Sequence, residues 1–302
     1  MFELSRILVV IEPHDGAQPA IEKAMQLAMS ADAELELFVS DFSNYLEDGY
    51  YFDPPRAQEL RREHGERHLQ MLEKLAQPLR DNGLEVSCST AWGNPPYEEV
   101  IKRAKELQPD LVIKATSHQL KIARLLLNND DWELIRYCPV PLMLVKNQPW
   151  AKSPVFVAAV DPEHSHDKPA TLDNKILATA SELGKLCSGE VHLYHSTHLP
   201  PLSGLYPIHS DYQADSKIVR TLAEQHGLEQ GNCHLSEGDI TQTLPALCGE
   251  IGASAVIMGA VSRSRLDRML IGNTAERVLD RLECDVIVIK PDSARPLQKL
   301  LL

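Results

Sequence analysis

Long apolar runs, paired cysteines and an excess of positive charge are all missing from this sequence of 302 residues. The longest apolar runs stay far below the ~20 residues that a membrane-spanning helix needs, so we expect no membrane span. The first residues carry no basic segment ahead of an apolar one, and they are typical of a strand and not of a secretion signal. The six cysteines form no CxxC pair, which indicates reduced, mostly structural thiols in a cytoplasmic protein.

Positive charge is scarce, because 30 lysines and arginines stand against 43 aspartates and glutamates and the formal net charge is −13. Such a surface repels nucleic acid and anionic lipid on average, so we expect no membrane partner and no sequence-independent binding of nucleic acid. The sequence also holds no nucleophile elbow, no Walker loop and no carboxylate pair at catalytic spacing. We therefore expect no enzyme, or at most a weak ATPase.

The chain contains one pattern that occurs twice. Apolar runs closed by an acidic residue and a proline occur at 6–13 and at 155–162, and each precedes a helical stretch and a second apolar run. A continuous apolar run of this length is typical of a strand buried on both faces. The ends of the two halves align without a gap at a shift of 144, which places Leu111–Lys114 over Ala255–Met258.

Strands that alternate with helices predict an α/β fold with a parallel sheet covered on both faces. We predict two tandem, doubly wound, five-stranded Rossmann-like domains over residues 1–148 and 153–302. A single eight-stranded barrel also fits the length, but the repeat and a linker with two prolines at 147–154 favour two open sheets. We expect the last strands, Leu142–Lys146 and Val286–Lys290, to pair within the chain. That intrachain pseudo-dimer would have pseudo-twofold symmetry, and a higher homo-oligomer stays open.

An open parallel sheet binds its ligand where the strand order reverses, beyond the carboxyl ends of the strands. If the first strand of each half is central, the crevice lies between the first and fourth strands. Glu12 and Asp161 follow the first strands, and the crevice would also involve the loops after Lys114 and Met258. As acidic residues ahead of a proline, Glu12 and Asp161 could equally be turn residues.

A segment with the features of an anion site follows the fourth strand of the second half. The strand ends at Gly259, where a missing side chain lets a ligand approach the backbone. Gly272 precedes a helix for which Asn273 or Thr274 is a good N-cap. A helix start offers free amide N–H groups and the positive end of the helix dipole, which suit a phosphate. The same loop contains three arginines that could add positive charge or lie in solvent: Arg263, Arg265 and Arg268.

This segment resembles the nucleotide-loop signature of the universal stress protein family, Gly-x2-Gly-x9-Gly-[Ser/Thr]. The Gly-Asn-Thr-Ala-Glu before the helix and the Cys-Asp-Val-Ile-Val-Ile-Lys-Pro of the last strand add to the resemblance, which covers nearly all of the chain. It implies a tandem member with two adenine nucleotide alpha hydrolase-like domains. It further implies a cytoplasmic protein that is induced in stress and linked to resistance to DNA-damaging agents.

In ATP-binding members of that family, the acidic residue after the first strand holds the adenosine part of the nucleotide. The glycines let the loop fold around the phosphates, and the Ser/Thr binds phosphate. The resemblance therefore implies a site for ATP or another adenine nucleotide in the second half. Carried onto this chain, its residues are Asp161, Gly259, Ser262, Arg263, Gly272, Asn273 and Thr274.

Two of these positions depart from the family signature. Ser262 replaces the second glycine, and at a position that needs a positive φ a Cβ costs about 1 kcal/mol or more and narrows the loop. Asn273 replaces the Ser/Thr, which is the milder change because its amide can still donate to a phosphate.

The first half has lost the signature altogether. The matching positions hold none of its residues: Ala115, His118, Asn128 and Asn129. Asp130 and Asp131 follow directly. Because two carboxylates at a helix start would compete with a phosphate for the same N–H groups, we predict that the first domain binds no nucleotide.

A second class of function stays open. The protein could be a scaffold that binds no nucleotide, or a carrier of a small apolar ligand or of zinc. The ligand would then lie in the second crevice or between the domains. Asp161 lies near four imidazoles that could hold zinc: His164, His166, His192 and His195. His64 and His68 stand four apart on a predicted helix, a spacing that can chelate, but the residues between them do not match a zinc-protease motif and we prefer a solvated helix face. We therefore expect no metal.

Two loops after the second strands are rich in large apolar residues. They could line a pocket for an apolar ligand or pack between the domains. The first contains Phe42, Tyr45, Tyr50, Tyr51 and Phe52, and its counterpart is Leu199–Pro207.

Overall fold

The computed structural model describes residues 3–14, 16–42, 54–116, 127–146, 148–162, 171–197, 212–260 and 273–291. The chain divides into two compact units, the first built mainly from residues 4–116 and 128–149, and the second from Trp150 onward. The predicted domain limits themselves stay a prediction. Within the described residues, no helix is both long enough and apolar enough to span a lipid bilayer.

The first unit alternates strands and helices along its described residues. They are β1 (Arg6–Val10), α1 (Pro19–Ala31), β2 (Glu34–Asp41), α2 (Pro54–Asp81), β3 (Val86–Trp92), α3 (Pro96–Leu107), β4 (Leu111–Ala115), α4 (Asn129–Tyr137) and β5 (Leu142–Val145). The strands are parallel and lie in the order β3-β2-β1-β4-β5.

The second unit repeats this plan. Its elements are β6 (Val155–Ala159), α5 (Thr171–Leu186), β7 (Glu190–Ser196), α6 (Tyr212–Gln225), β8 (Cys233–Ser236), α7 (Ile240–Glu250), β9 (Ala255–Gly259), α8 (Asn273–Leu279) and β10 (Asp285–Ile289). The strand order is β8-β7-β6-β9-β10, again parallel. The prediction of an α/β chain in which each unit contributes five parallel strands is therefore confirmed, and the barrel alternative is not.

Each core is built where the continuous apolar runs predict it. All residues from Ile7 to Val10 are buried, and so are Phe156 to Ala158 in the corresponding strand. Burying a Val, Leu, Ile or Phe side chain in this way contributes about 1.5–3 kcal/mol. Helix α1 packs on the first sheet through Ala20, Ala24 and Ala28, whose spacing puts three small side chains on one face.

The strand order reverses between β1 and β4 in the first unit and between β6 and β9 in the second. These are the positions where an open parallel sheet leaves a crevice beyond its carboxyl ends. Both candidate crevices therefore lie where the sequence places them.

Candidate functional site

The crevice of the first unit, where β1 and β4 end, contains an ionic cluster around Lys114. This lysine is 7% exposed, and its Nζ donates to Oδ1 of Asp131 at 2.6 Å and to the carbonyl of Ala115 at 3.1 Å. Glu12, which follows β1, places its Oε1 3.8 Å from the same Nζ. Because a buried charge is tolerated only when it is paired and hydrogen-bonded, the two carboxylates make a lysine acceptable here.

Asp131 also closes the N-terminus of α4. Asn128 is the N-cap, and its side chain accepts the N–H of Asp131 at 2.8 Å. Oδ2 of Asp131 in turn accepts the N–H of Asn128 at 3.0 Å, which completes a capping box. The helix start that would face a phosphate is therefore occupied by a carboxylate of the chain itself. This supports the prediction that the first domain binds no nucleotide.

The corresponding positions of the second unit carry different residues. At the shift of 144, Met258 stands where the first half has Lys114, and Ala275 stands where it has Asp131. Asp161, in the place of Glu12 after the central strand, is retained and partly exposed. The second crevice thus keeps an acidic residue after its central strand, while Ala275 and Met258 provide neither the carboxylate nor the ammonium group that the first half has at these positions.

A hydrogen bond to the backbone of Asp161 holds this residue in position. Its backbone N–H donates to Oδ1 of Asp173 at 3.2 Å. Asp173 is buried in the first turn of α5, where the helix dipole stabilises a negative charge. The contact ties the end of β6 to the start of α5 and so fixes the backbone from which the Asp161 side chain extends.

Gly259 lies at the same edge as Asp161, because β6 and β9 pair in register up to Ala159 and Met258. A Cβ built on Gly259 would lie 2.8 Å from Cδ2 of Leu172 in α5. That distance is too short for a real contact, so a side chain at Gly259 would require the Leu172 side chain of α5 to shift. The packing of α5 is thus a second reason for glycine here, beside the approach of a ligand to the backbone.

Helix α8 covers Asn273–Leu279, so the two N-cap candidates, Asn273 and Thr274, both lie within its first turn, and Thr274 is exposed. Val278 and Leu279 are buried, and the helix packs against α7. The other members of the predicted set lie outside the described residues: Ser262, Arg263 and Gly272.

Comparison with known proteins now decides the family. A model of the Universal stress protein family matches residues 3–146 and again residues 159–290. The chain belongs to the universal stress protein family. It is a stress-response protein with two domains of this family in tandem.

The similarity to individual family members extends over almost the whole chain. Universal stress protein E of Photorhabdus laumondii is 26% identical over 97% of this chain and 96% of its own length. A crystal structure of a functionally unknown protein, PA1789 of Pseudomonas aeruginosa PAO1, is 28% identical with a TM-score of 0.76, covering 96% of this chain and 93% of that one. A universal stress protein from Archaeoglobus fulgidus, 19% identical with a TM-score of 0.72 over 94% and 98% of the two chains, shares the fold.

The two described histidines among the suggested zinc ligands in the second unit of this universal stress protein, His192 and His195, do not converge. Nδ1 of His192 lies 2.9 Å from Nε2 of His234, with the two rings stacked, whereas Nδ1 of His195 lies 3.0 Å from the carbonyl of Val160. Residues three apart on a strand point to opposite faces, so His192 and His195 do not share a site. The remaining candidates, His164 and His166, lie outside the described residues.

The aromatic loop of the first half also lies outside the described residues, except for Phe42. Phe42 packs against Trp92 with ring centroids 5.6 Å apart. A separate cavity of about 550 Å³ lies in the second unit beside β7 and β8, on the other side of β6 from the crevice. Polar side chains contribute much of its lining, among them Tyr194, Arg220, His234, Thr243 and Glu250.

The preferred interpretation of His64 and His68 as a solvated helix face is wrong. Their side chains are only 23% and 14% exposed, and both contact the carboxylate of Asp41 at the end of β2. The spacing of the two histidines predicts that they share a helix face. It does not show which strand that face meets, so sequence reasoning missed Asp41.

Proposed function

We propose that the second domain of this stress-response protein binds an adenine nucleotide, ATP in the first instance, and that the bound nucleotide regulates the protein in the cytoplasm. One observation carries the proposal. The crevice of the first unit is closed by its own Lys114–Asp131 pair, and the second unit replaces those two residues with Met258 and Ala275.

In this proposal Asp161 contacts the adenosine part of the nucleotide, as the acidic residue after the first strand does in ATP-binding family members. The start of α8, with Asn273 and Thr274, contacts phosphate through backbone N–H groups. Ser262, Arg263 and Gly272 complete the site in the loop before α8.

The proposed role is binding and not turnover, with at most slow hydrolysis of ATP. Asp161, after β6, and Asp173, in the first turn of α5, are linked through the backbone N–H of Asp161. That contact positions the main chain and does not create an acid–base pair. The link to resistance against DNA-damaging agents is part of the same proposal and rests on the resemblance to the family.

Calorimetric titration of the full chain with ATP tests the site, together with mass spectrometry of nucleotide released from the purified protein. We expect one nucleotide per chain. Ala275→Asp installs the carboxylate that caps α4 in the first unit, and Ala275→Asn has nearly the same shape without the charge. We expect the aspartate variant to bind ATP at least about tenfold more weakly than the asparagine variant, because a carboxylate would repel the phosphate at close range.

A matched control uses corresponding positions in the two halves. Gly272→Asp should abolish binding, whereas Asn128→Asp, at the corresponding position of the first half, should leave ATP binding unchanged. The proposal fails if no heat is seen and no nucleotide is released from the wild-type protein. It also fails if Gly272→Asp and Ala275→Asp bind ATP as the wild type does.

A carrier of a non-nucleotide ligand is the second candidate, and the cavity beside β7 and β8 gives it a location. Native mass spectrometry separates the two candidates. A bound mass other than a nucleotide that is lost on Thr243→Phe, which fills the cavity, would favour the carrier.

A further inference from the structure

We propose that Asp41, His64 and His68 of the first unit form a binding site for one divalent transition-metal ion of the zinc type. The proposal is independent of the nucleotide site, which involves different residues in the second unit.

Three different positions in the fold converge at this site. Asp41 is the last residue of β2, and it pairs in register with Trp92 at the end of β3. Helix α2 packs against these two strands, and His64 and His68, four residues apart, lie on one face of the helix. Nε2 of His64 lies 2.6 Å from Oδ2 of Asp41, Nε2 of His68 lies 2.8 Å from the same oxygen, and the two nitrogens are 3.0 Å apart.

These three contacts cannot all be hydrogen bonds at the same time. If both Nε2 atoms carry protons, each can donate to Oδ2, but the 3.0 Å contact between the nitrogens then lacks a lone pair. If one Nε2 is bare, its lone pair faces the lone pairs of the carboxylate oxygen. A divalent cation removes the conflict, because all three atoms can then present lone pairs to one positive centre.

The separations suit a first-row metal ion after a small adjustment. Zinc binds imidazole nitrogen and carboxylate oxygen at about 2.0–2.2 Å, and a tetrahedral arrangement places such ligands about 3.3 Å apart. Side-chain torsions that widen the three separations by roughly half an ångström reach this geometry.

The surroundings of the cluster hold the ligands in place. Oδ1 of Asp41 accepts the N–H of Phe42 at 2.7 Å, which leaves Oδ2 directed at the histidines. The ring of His64 packs edge-on against Trp92 with centroids 5.7 Å apart.

The donor set selects the kind of metal. Two imidazole nitrogens and one carboxylate oxygen suit zinc and its first-row neighbours, whereas magnesium and calcium prefer all-oxygen sites. Three protein ligands leave one tetrahedral position for water or a small ligand. One nearby charge opposes a cation, because Nη2 of Arg67 lies 3.5 Å from Nδ1 of His64. That nitrogen carries the ring proton when Nε2 binds metal.

Zinc titration by calorimetry on the full chain, after removal of metal with a chelator, tests the site. We expect one tightly bound ion per chain in the wild type, and an affinity at least about tenfold lower in Asp41→Asn and in His68→Gln. The control is His226→Gln, which changes a histidine bonded to Asn174 in the second unit and should leave zinc binding unchanged. Arg67→Gln should bind zinc severalfold more tightly, a gain that a misfolded variant cannot imitate.

The electronic spectrum of the cobalt-substituted protein identifies the ligands. Ligation by Asp41, His64 and His68 gives no thiolate-to-cobalt charge-transfer band, so binding by the cysteines is distinguishable. The proposal is overturned if the wild type binds no zinc, if Asp41→Asn and His68→Gln bind it as the wild type does, if Arg67→Gln gains no affinity, or if the thiolate band appears.

Discussion

At the scale of single residues, Lys114 and Asp131 are the pair on which the first crevice depends. The sequence predicts that Asp131 occupies the helix start, since a carboxylate three residues after an N-cap is a recognised pattern. It does not predict that Lys114 is its partner, because a lysine within an apolar strand gives no indication of what lies opposite. The contact exists only once α4 is packed beside the end of β4.

Removing one member of this pair should destabilise the first unit strongly. We expect Lys114→Met to lower the free energy of unfolding by about 3–5 kcal/mol, because Asp131 then stays buried without its cation. The double variant Lys114→Met/Asp131→Ala copies the residues of the second unit and should recover most of that loss. Urea unfolding followed by circular dichroism measures both. Equal losses in the single and double variants would show that the pair is not coupled.

The thiols provide a second prediction at the residue scale. Burial raises the pKa of Cys187 to about 11. Because the thiolate is the reactive form, we expect alkylation of Cys187 by iodoacetamide at pH 7.4 to be at least about 100-fold slower in the native protein than in urea. Peptide mass spectrometry after timed labelling measures the rate, with the same cysteine in the unfolded chain as its control. Rapid native labelling would mean that Cys187 is accessible and ionised.

At the scale of elements, the sequence predicts strands and helices well where apolar runs are continuous, as in β1, β4, β6 and β9. It is weaker where an element owes its position to a distant partner. Trp150 lies in the predicted linker. Its indole N–H donates to Oδ2 of Asp285, at the start of β10, over a distance of 2.7 Å, and its ring packs edge-on against Phe156. The local sequence pattern does not predict that a linker residue makes these two contacts.

The histidine pair on the neighbouring strands β7 and β8 leads us to expect that the stability of the second unit depends on pH. Burial, together with the neighbouring His192, lowers the pKa of His234 on β8. A histidine whose pKa is lowered by folding binds fewer protons in the folded state than in the unfolded chain. Its contribution to stability is therefore present above the ordinary histidine value of 6.5 and is lost as the pH falls below it.

We accordingly expect the melting temperature of the second unit to drop between pH 7.5 and pH 5.5, and to drop less in His234→Gln. Differential scanning calorimetry at several pH values makes the comparison, with His14→Gln in the first unit as the control. A wild-type curve no steeper than that of His234→Gln would contradict the assignment.

At the scale of the whole molecule, the internal repeat predicts the architecture because both halves obey the same rule, apolar strands alternating with helices. The repeat does not predict how far the halves have diverged in chemistry. That divergence depends on single positions such as Met258 and Lys114, which the same alignment places over each other. A duplicated fold therefore provides two crevices at the same place in the strand order, and only the first contains the Lys114–Asp131 ion pair.

The two proposed ligands should act on different units of this one chain. Hydrogen exchange followed by mass spectrometry should show that ATP protects peptides from β6, β9 and α8, and that zinc protects peptides from β2 and α2. A ligand that binds only the folded state at 100 times its Kd adds about 2.7 kcal/mol to the stability of the folded unit that binds it. In Asp41→Asn the zinc effect should fall to about half or less while the ATP effect remains, and in Gly272→Asp the ATP effect should disappear while the zinc effect remains. Protection by ATP in β2 and α2, or by zinc in β6 and α8, would place the ligand in the wrong half and refute the corresponding site.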